Sequence, residues 1–267
     1  MTATHPVIFV GAGPGDPELI TVAGQKALMA ADRVVYAGSL VSQEMLSWCR
    51  PGCELIDSAG LDLEAIVDSL ATGHAAGQKV VRLHTGDPSL YGAIAEQIAA
   101  LDARQVAWRV IPGVTAAFAA AAELGLEWTL PEVTQTLILT RAAGRTPVPP
   151  AESLAALAAH GASLAIYLSA GQAEAVSTAL QVAYGPESPV ALAYRVSWPD
   201  QKTAWTTARD LPQALKAHGF TRQVLILAGP AVARRAEGGA APASKLYDAG
   251  FSHGFRQSQD QGRDPEK

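Results

Sequence analysis

The stretch Val7-Ile8-Phe9-Val10-Gly11-Ala12-Gly13-Pro14-Gly15-Asp16-Pro17 predicts the start of an open α/β sheet. Its first five residues form a short apolar run typical of a buried strand, and the glycines that follow permit a tight turn. Asp16 and Pro17 suit the N-cap and the first position of a helix. Open α/β sheets bind ligands where strands end, so this glycine loop, residues 11–17, is predicted to border a binding site.

The glycine loop departs from the common nucleotide-binding patterns. A dinucleotide-binding turn requires glycine at position 16, where this chain has Asp16, and an acid after the second strand, where residues 34–38 supply none. No Gly-Lys-Ser/Thr follows, which excludes the phosphate loop of nucleotidases. The Gly-x-Gly-x-Gly spacing of common methyltransferases is present, but Phe9 occupies the position where those enzymes usually have an acid.

Apolar strands alternate with helical stretches on both sides of residue 128. This alternation implies right-handed crossover connections and a largely parallel sheet. In the first half the predicted strands are Val7–Gly11, Arg33–Ala37, Glu54–Asp57, Lys79–Thr85 and Val106–Ile111, and the predicted helices are Pro17–Ala31, Leu63–His74, Leu90–Leu101 and Thr115–Leu124. In the second half the strands are Val133–Thr140, Ser163–Ser169, Pro189–Val196, Lys202–Ala208 and Gln223–Ala228, and the helices are Ser153–His160, Ala173–Gln181 and Leu211–Lys216.

The pattern predicts two α/β domains of similar size, at residues 1–127 and 128–232. Pro189–Val196 and Lys202–Ala208 are expected to pair as antiparallel neighbours around a turn at residues 198–200. Residues 233–267 are rich in Gly, Ala, Gln and charge, so we expect a partly disordered tail.

Composition narrows the class of protein. The chain has 267 residues, 49% hydrophobic and 17% charged, with a formal net charge of −5, which disfavours a disordered chain and a general nucleic-acid binder. No apolar run approaches the ~18–20 residues of a membrane span, and no secretory signal is evident. Cys49 and Cys53 are too few for a disulfide framework or a zinc site, so we expect a reduced, cytoplasmic protein without a metal.

Two further turns follow predicted strands. One runs from His84 to Gly92 and contains Asp87-Pro88, and the other is Ile111-Pro112-Gly113-Val114-Thr115-Ala116. Asp87 fits both a local capping role and a ligand-binding role. The carboxyl ends of neighbouring parallel strands meet at one edge, so these two turns and the glycine loop are expected to line one crevice.

The three turns in this order resemble the tetrapyrrole methylases, S-adenosylmethionine enzymes of cobalamin and sirohaem synthesis. Residues 130–136, 140–147 and 194–200 are similar to family members that methylate C11 of precorrin-4, and residues 244–248 and 251–254 of the tail share that similarity, so part of the tail is expected to dock. The resemblance implies two α/β domains with the cofactor in the cleft between them, usually as a homodimer. Alternatives are methylation of another carbon of a related precorrin, a non-catalytic tetrapyrrole-binding protein, a nucleotide-binding regulator and a nicotinamide oxidoreductase.

The resemblance also implies site residues. Contacts to S-adenosylmethionine are expected at Pro14, Gly86, Asp87, Leu90, Thr115, Ala116, Leu168, Val196 and Ala228. A macrocycle with many carboxylates requires cations, and Arg141 and Arg145 stand four apart in one loop where they can bind carboxylates. His84, Tyr91 and Arg195 are further candidates for substrate contact. The catalytic base stays unassigned, with His84 the candidate because an ordinary histidine pKa suits a base.

Overall fold

The computed structural model describes residues 5–238 and 244–257. Within them the chain forms two α/β units, each with its own five-stranded sheet, which confirms the predicted fold class. The N-terminal unit comprises Met1–Glu123 together with Ala193–Thr203, and the second unit comprises Leu124–Leu192 together with Ala204–Lys267. Residues 193–203 are therefore described with the N-terminal unit.

The sheet of the N-terminal unit places its strand ends at one edge. Its strands are β1 Val7–Gly11, β2 Arg33–Tyr36, β3 Glu54–Asp57, β4 Val80–His84 and β5 Trp108–Ile111, in the order β3-β2-β4-β1-β5. Each pairing in this sheet is parallel. Gly11 pairs with His84, and Val10 with Ile111, so the turns after β1, β4 and β5 emerge side by side.

Successive residues of the strands contribute to two apolar layers, one on each face of the sheet. Val10 lies in a cluster with Leu28, Met45 and Leu83 on one face of the sheet. Phe9, its neighbour in the chain, lies in the other cluster with Leu70 and Leu101. Successive strand residues point to opposite faces, so one short run builds both layers.

Helices cover this sheet, with three differences from the prediction, one of which is the unpredicted short helix at Gln43–Leu46. The helices are α1 Val22–Ala30, α2 Gln43–Leu46, α3 Leu63–Ala75, α4 Ile94–Ala103 and α5 Ala116–Leu124. The predicted helix Pro17–Ala31 divides into a 3-10 turn, Pro17–Leu19, and α1, because Thr21 accepts a hydrogen bond from the Gly24 N–H and caps a new start. The predicted helix at Leu90 begins only at Ile94, since Tyr91 and Ala93 adopt positive φ angles of 57° and 51°.

The second unit has a mixed sheet. Its strands are β6 Leu137–Arg141, β7 Ser163–Tyr167, β8 Pro189–Tyr194, β9 Lys202–Thr207 and β10 Val224–Ala228, in the order β6-β7-β10-β8-β9. β6 runs parallel to β7, whereas β10 runs antiparallel to it. The pairing of β8 with β9 agrees with the predicted hairpin neighbours.

Helices of the second unit are α6 Leu154–Ala158, α7 Ala173–Tyr184, α8 Leu211–His218 and α9 Pro230–Glu237. The helix α9 was not predicted, and it extends past residue 233, where the tail was expected to begin. The Ser163 hydroxyl accepts the Ala231 N–H, which ties the first turn of α9 to β7. Of the expected tail, residues 239–243 and 258–267 lie outside the described residues, and residues 245–247 form a 3-10 turn.

Candidate functional site

Three turns meet at the carboxyl edge of the N-terminal sheet. The Gly13 N–H donates to the Gly86 carbonyl at 3.2 Å, and the Gly86 N–H donates to the Gly13 carbonyl at 2.7 Å. A Cβ atom added to Gly11 would lie 2.6 Å from the Gly113 Cα, and one added to Gly113 would lie 2.2 Å from the Gly86 carbonyl oxygen. Glycine is required here because the backbones meet directly, and the meeting of the three turns at one edge of the sheet agrees with the prediction.

Asp87 holds two of these turns together. One carboxylate oxygen accepts hydrogen bonds from the Ser89 N–H and hydroxyl, and the other accepts the Gly113 N–H at 2.8 Å. Partial burial opposes ionisation, but the bonds from the Ser89 hydroxyl, the Gly113 N–H and the Ser89 N–H outweigh it, so the pKa of Asp87 lies below its usual value. Asp87 therefore caps its own turn through Ser89, as predicted. It also binds the turn at Gly113, a role that its sequence context did not indicate.

His84 lies beneath the same turns at the end of β4. Its ring stacks on Phe9 with centroids 5.9 Å apart, its Nε2 is buried without a hydrogen-bond partner, and only 4% of the residue is exposed. Burial, helped by the positive charge of Arg82, lowers the pKa of His84 to about 3. His84 was the candidate base because an ordinary histidine pKa suits a base, and that expectation is wrong. Burial disfavours the charged form, so the imidazole is neutral at physiological pH.

A turn that is distant in sequence binds the glycine loop. This Trp198 turn, residues 195–201, lies in the N-terminal unit. The Trp198 indole N–H donates to the Pro14 carbonyl at 2.9 Å, and the Asp16 N–H donates to the Ser197 hydroxyl at 3.0 Å. Asp16 also accepts the Glu18 N–H at 2.8 Å, which is the predicted capping role. Ser197 and Trp198 were absent from the predicted site, and only the similarity of residues 194–200 to the family pointed to this segment.

A cavity of about 790 Å³ lies against the Trp198 turn within the same unit. Its walls come from Gly15, Asp16, Pro17 and Leu19, from the Trp198 turn and from one face of α5 that includes Phe118 and Ala122. Asp16, Glu44 and Glu123 contribute carboxylates, and none of the lining residues is basic. Of the predicted site residues only Val196 lines this cavity, so its walls suit a polyanionic macrocycle poorly.

The other predicted residues of this unit border the same edge. Leu90 follows Asp87, and its N–H donates to the Asp87 carbonyl at 3.2 Å. Tyr91 has a positive φ of 57° and is 44% exposed. Thr115 and Ala116 lie at the start of α5. Arg195 forms an ion pair with Asp200 at 2.7 Å and stacks over the Trp198 ring at 4.2 Å.

In the second unit the structure separates two predicted residues. Arg141 pairs with Tyr167, so it lies at the same edge of the sheet as Leu168, which has a positive φ of 52° and is 71% exposed. Ala228 pairs with Leu164 in an antiparallel ladder, which places it at the opposite edge and leaves it buried. The structure therefore brings Arg141 and Leu168 together and does not bring Ala228 to them.

The two arginines of the arginine loop, residues 141–147, have different surroundings. The Arg141 guanidinium donates to the carbonyls of Ala142, Thr146 and Pro147, at 3.4, 3.1 and 2.7 Å, so much of its hydrogen-bonding capacity is already used. Arg145 is exposed, and no hydrogen bond or ion pair joins its side chain to another described residue. Spacing alone did not distinguish the arginine that shapes the loop from the one that remains available.

Groups away from this edge are less suited to chemistry. Burial, together with the neighbouring Cys53, raises the pKa of the Cys49 thiol to about 12, which disfavours a thiolate nucleophile. Within residues 5–238 and 244–257, no three His, Cys, Asp or Glu side chains gather as metal ligands. Over the same residues, no helix has both the length and the apolar character of a membrane span.

Comparison with known proteins identifies the family. The model of the Tetrapyrrole (Corrin/Porphyrin) Methylases matches residues 6–212, and the chain belongs to this family, which confirms the resemblance found in its motifs. The chain is 48% identical over 250 residues to the precorrin-4 C(11)-methyltransferase of Pseudomonas aeruginosa, covering 94% of this chain and 98% of that protein. It is 46% identical over 249 residues to the cobalt-precorrin-4 C(11)-methyltransferase of Priestia megaterium, covering 93% and 96%.

Solved structures of tetrapyrrole methyltransferases support the same family assignment. An X-ray structure of a cobalt precorrin-4 methyltransferase superposes with a TM-score of 0.83 at 46% identity, covering 85% of this chain and 95% of that chain. A uroporphyrin-III C-methyltransferase from Thermus thermophilus, complexed with S-adenyl homocysteine, gives a TM-score of 0.69 at 26% identity, covering 85% and 99%. S-adenosylmethionine is the methyl donor of the family.

The three turns suit such a donor. Residues 11–17, 85–92 and 112–116 contain no lysine, arginine or histidine. The acids in these turns are Asp16 and Asp87, and the lowered pKa of Asp87 keeps that carboxylate ionised at physiological pH. The turns therefore carry negative charge, which is compatible with a sulfonium cation.

Proposed function

We propose that the protein methylates C11 of precorrin-4, or of its cobalt-containing form, with S-adenosylmethionine as donor, in cobalamin biosynthesis. The observation that carries this proposal is the 46–48% identity to C11-methyltransferases, which extends over more than nine-tenths of both chains. Identity at this level over whole chains covers both units and the segments between the family motifs.

The donor contacts in this proposal come mainly from the converging turns. In the N-terminal unit they are Pro14, Gly86, Asp87, Leu90, Thr115, Ala116 and Val196. In the second unit the contact is Leu168, which lies exposed at the edge that also carries Arg141, whereas the buried Ala228 at the opposite edge is left out. The glycine contacts would be made by backbone groups, so the role of these turns is to present a fixed main-chain surface.

The chemistry needs positioning more than proton transfer. When bound, S-adenosylmethionine supplies an electrophilic sulfonium methyl group. Asp87 keeps the Gly113 and Ser89 turns in place, and the packed glycines leave little backbone freedom, so the reacting groups can be held in line. Burial lowers the pKa of His84 to about 3, so its neutral imidazole is a weak base, and we assign it no proton transfer.

The macrocycle side of the proposal depends on cationic and exposed side chains. Arg145 is available for a carboxylate, Arg141 shapes the loop that carries Arg145, and Arg195 and Tyr91 contribute at the other unit. A homodimer and a cytoplasmic location complete the proposal, because the family resemblance and the reduced cysteines favour them.

Isotope labelling tests the function directly. The purified protein is incubated with S-adenosylmethionine carrying a ¹³C methyl group and, in separate reactions, with precorrin-4 and cobalt-precorrin-4. We expect one new methyl signal at C11 in the ¹³C NMR spectrum, and the preferred substrate form shows whether cobalt is required. A methyl group at another carbon would indicate a sister activity. Macrocycle binding without any methyl transfer would indicate a carrier and refute the proposal.

A further inference from the structure

Trp198 contacts the glycine loop in two ways. Its indole N–H donates to the Pro14 carbonyl at 2.9 Å, and a Cβ atom added to Gly15 would lie 2.3 Å from its Cδ1. The ring is therefore packed against the backbone of the loop at a position that only glycine permits. The hydrogen bond fixes the orientation of the peptide group that follows Pro14.

The turn that carries Trp198 is itself held in an uncommon conformation. Arg195 and Ser197 have positive φ angles of 44° and 66°, which non-glycine residues adopt at a cost. The Ser197 N–H donates to the Gln201 side chain at 2.7 Å, and the Arg195 guanidinium stacks on the indole at 4.2 Å while it pairs with Asp200. Such conformations persist where surrounding contacts maintain them, and they are frequent at binding sites.

The same turn also carries Val196, a proposed donor contact that lies two residues before Trp198 and is largely buried. Pro14, the residue whose carbonyl Trp198 binds, is another proposed donor contact. One short turn thus supplies the Val196 contact and fixes the Pro14 contact, which lies 184 positions earlier in the chain. A change at Trp198 should alter the donor site without removing any group that touches the donor.

We propose that Trp198 is a positioning residue for the methyl donor, acting through the Pro14 carbonyl and the backbone of Gly15. The inference rests on the proposed function, since it takes Pro14 and Val196 as donor contacts. It assigns to Trp198 an effect on donor affinity that is separate from folding and from macrocycle binding. Ser197 supports the same loop through the Asp16 N–H and provides an independent variant.

The test compares Trp198→Phe, which keeps a ring but removes the N–H donor, with the matched control Trp205→Phe. Trp205 lies on β9 in the second unit and is 43% exposed. Binding of S-adenosylhomocysteine is measured by titration calorimetry, thermal stability by the melting temperature, and steady-state KM separately for donor and macrocycle. Loss of one hydrogen bond predicts a rise of about two- to tenfold in the dissociation constant and donor KM of Trp198→Phe. The macrocycle KM of Trp198→Phe should not change. The dissociation constant and donor KM of Trp205→Phe should not change either.

Hydrogen exchange distinguishes positioning from a general loss of stability. Trp198→Phe and Ser197→Ala should both accelerate amide exchange in residues 12–19 while the core strands keep their protection. A lower melting temperature with unchanged affinity for S-adenosylhomocysteine in both variants would overturn the inference. Failure of the unsubstituted protein to bind S-adenosylhomocysteine would instead refute the proposed function, and the inference with it. If Trp198→Phe does not fold, Ser197→Ala gives the decisive comparison.

Discussion

The glycine loop of the N-terminal unit and the arginine loop of the second unit each follow a strand, but their polar groups are satisfied differently. In the glycine loop, Pro14 and Asp16 bond to Trp198 and Ser197, more than 180 positions away in the chain. In the arginine loop, Arg141 bonds to carbonyls no more than six positions away. The first loop is fixed by segments distant in the chain, whereas the second is fixed mainly by its own Arg141, with one further bond from the Ala142 N–H to the Ser169 hydroxyl.

This difference determines how each loop can take part in binding. A loop fixed by distant partners presents a rigid backbone, so its contribution is shape, and changes to its neighbours will affect the site. A loop fixed by its own arginine can keep its form while another side chain, Arg145, remains available for a ligand. The two loops should therefore respond differently to substitution, with effects of different size.

The largest effect is expected where backbones touch. Gly113→Ala would place a Cβ atom 2.2 Å from the Gly86 carbonyl oxygen and 2.8 Å from the Gly11 Cα, neither of which belongs to a flexible side chain. Overpacking against backbone should lower the free energy of unfolding by about 3 kcal/mol or more. Urea denaturation measures the change. Gly171→Ala is the matched control, since nothing lies within 4 Å of its added Cβ, and it should change stability by less than ~0.5 kcal/mol. Equal stability of the two variants would contradict the close approach.

An effect that is smaller at neutral pH and grows as the pH falls is expected at His84, whose carbonyl accepts the Ala12 N–H of the glycine loop. The folded protein holds the pKa of His84 at about 3, below the ordinary value of 6.5, so the unfolded chain takes up a proton first as the pH falls. Stability should decline between about pH 6.5 and 3, by at most about 1.4 kcal/mol per pH unit from this group. His84→Gln should remove that slope, as measured by urea midpoints at pH 7, 6, 5 and 4. Equal slopes in both proteins would show that His84 titrates normally.

Asp87 should give a weaker pH dependence of the same sign. The pKa of Asp87 is lowered in the folded state, so its stabilising contribution is present above its ordinary pKa of about 3.8 and is lost as the pH falls through the folded value. Asp87→Ala removes the acceptors of the Gly113 N–H and of Ser89, which should cost about 2 kcal/mol at pH 7. The difference between the two proteins should shrink below pH 4 in urea titrations. A variant that keeps its stability but loses affinity for S-adenosylhomocysteine would assign Asp87 to binding alone.

The sequence predicted the elements and the turns well because both depend on local patterns. The strand Val7–Gly11, the convergence of three turns and the cap at Asp16 follow from apolar runs, glycines and an Asp-Pro pair. The split at Thr21 and the late start of α4 at Ile94 were missed, because competing caps and positive φ angles are set by contacts rather than by periodicity.

For the site residues too, local patterns indicated which residues matter, whereas their partners depend on the fold. Family motifs located Asp87 and Arg141, but the partners that satisfy them were not evident from residue type or spacing. The separation of Ala228 from Leu168 depends on the antiparallel direction of β10, which an apolar run cannot indicate. The lowered pKa of His84 depends on burial against Phe9 and the charge of Arg82, and both require the folded sheet.

The smallest effects should distinguish the two arginines. Arg141→Ala removes the donors that hold the carbonyls of Thr146 and Pro147, so it should lower the free energy of unfolding by about 1 kcal/mol. Arg145→Ala removes an exposed side chain and should leave that free energy unchanged within ~0.5 kcal/mol.

For macrocycle binding the order of the two arginines should be reversed, because Arg145 is the proposed direct contact. Uroporphyrin III, a stable and fluorescent macrocycle with eight carboxylates, serves as the probe in a fluorescence titration. An exposed ion pair is worth up to about 1 kcal/mol, so Arg145→Ala should weaken binding by about two- to fivefold at low salt, and the difference should narrow as salt screens the charge. Arg141→Lys keeps the charge but cannot hold three carbonyls with one planar group, so any loss of affinity in that variant should accompany a loss of stability. Unchanged affinity in Arg145→Ala would mean that the macrocycle does not reach the arginine loop, and that the loop is a structural connection only.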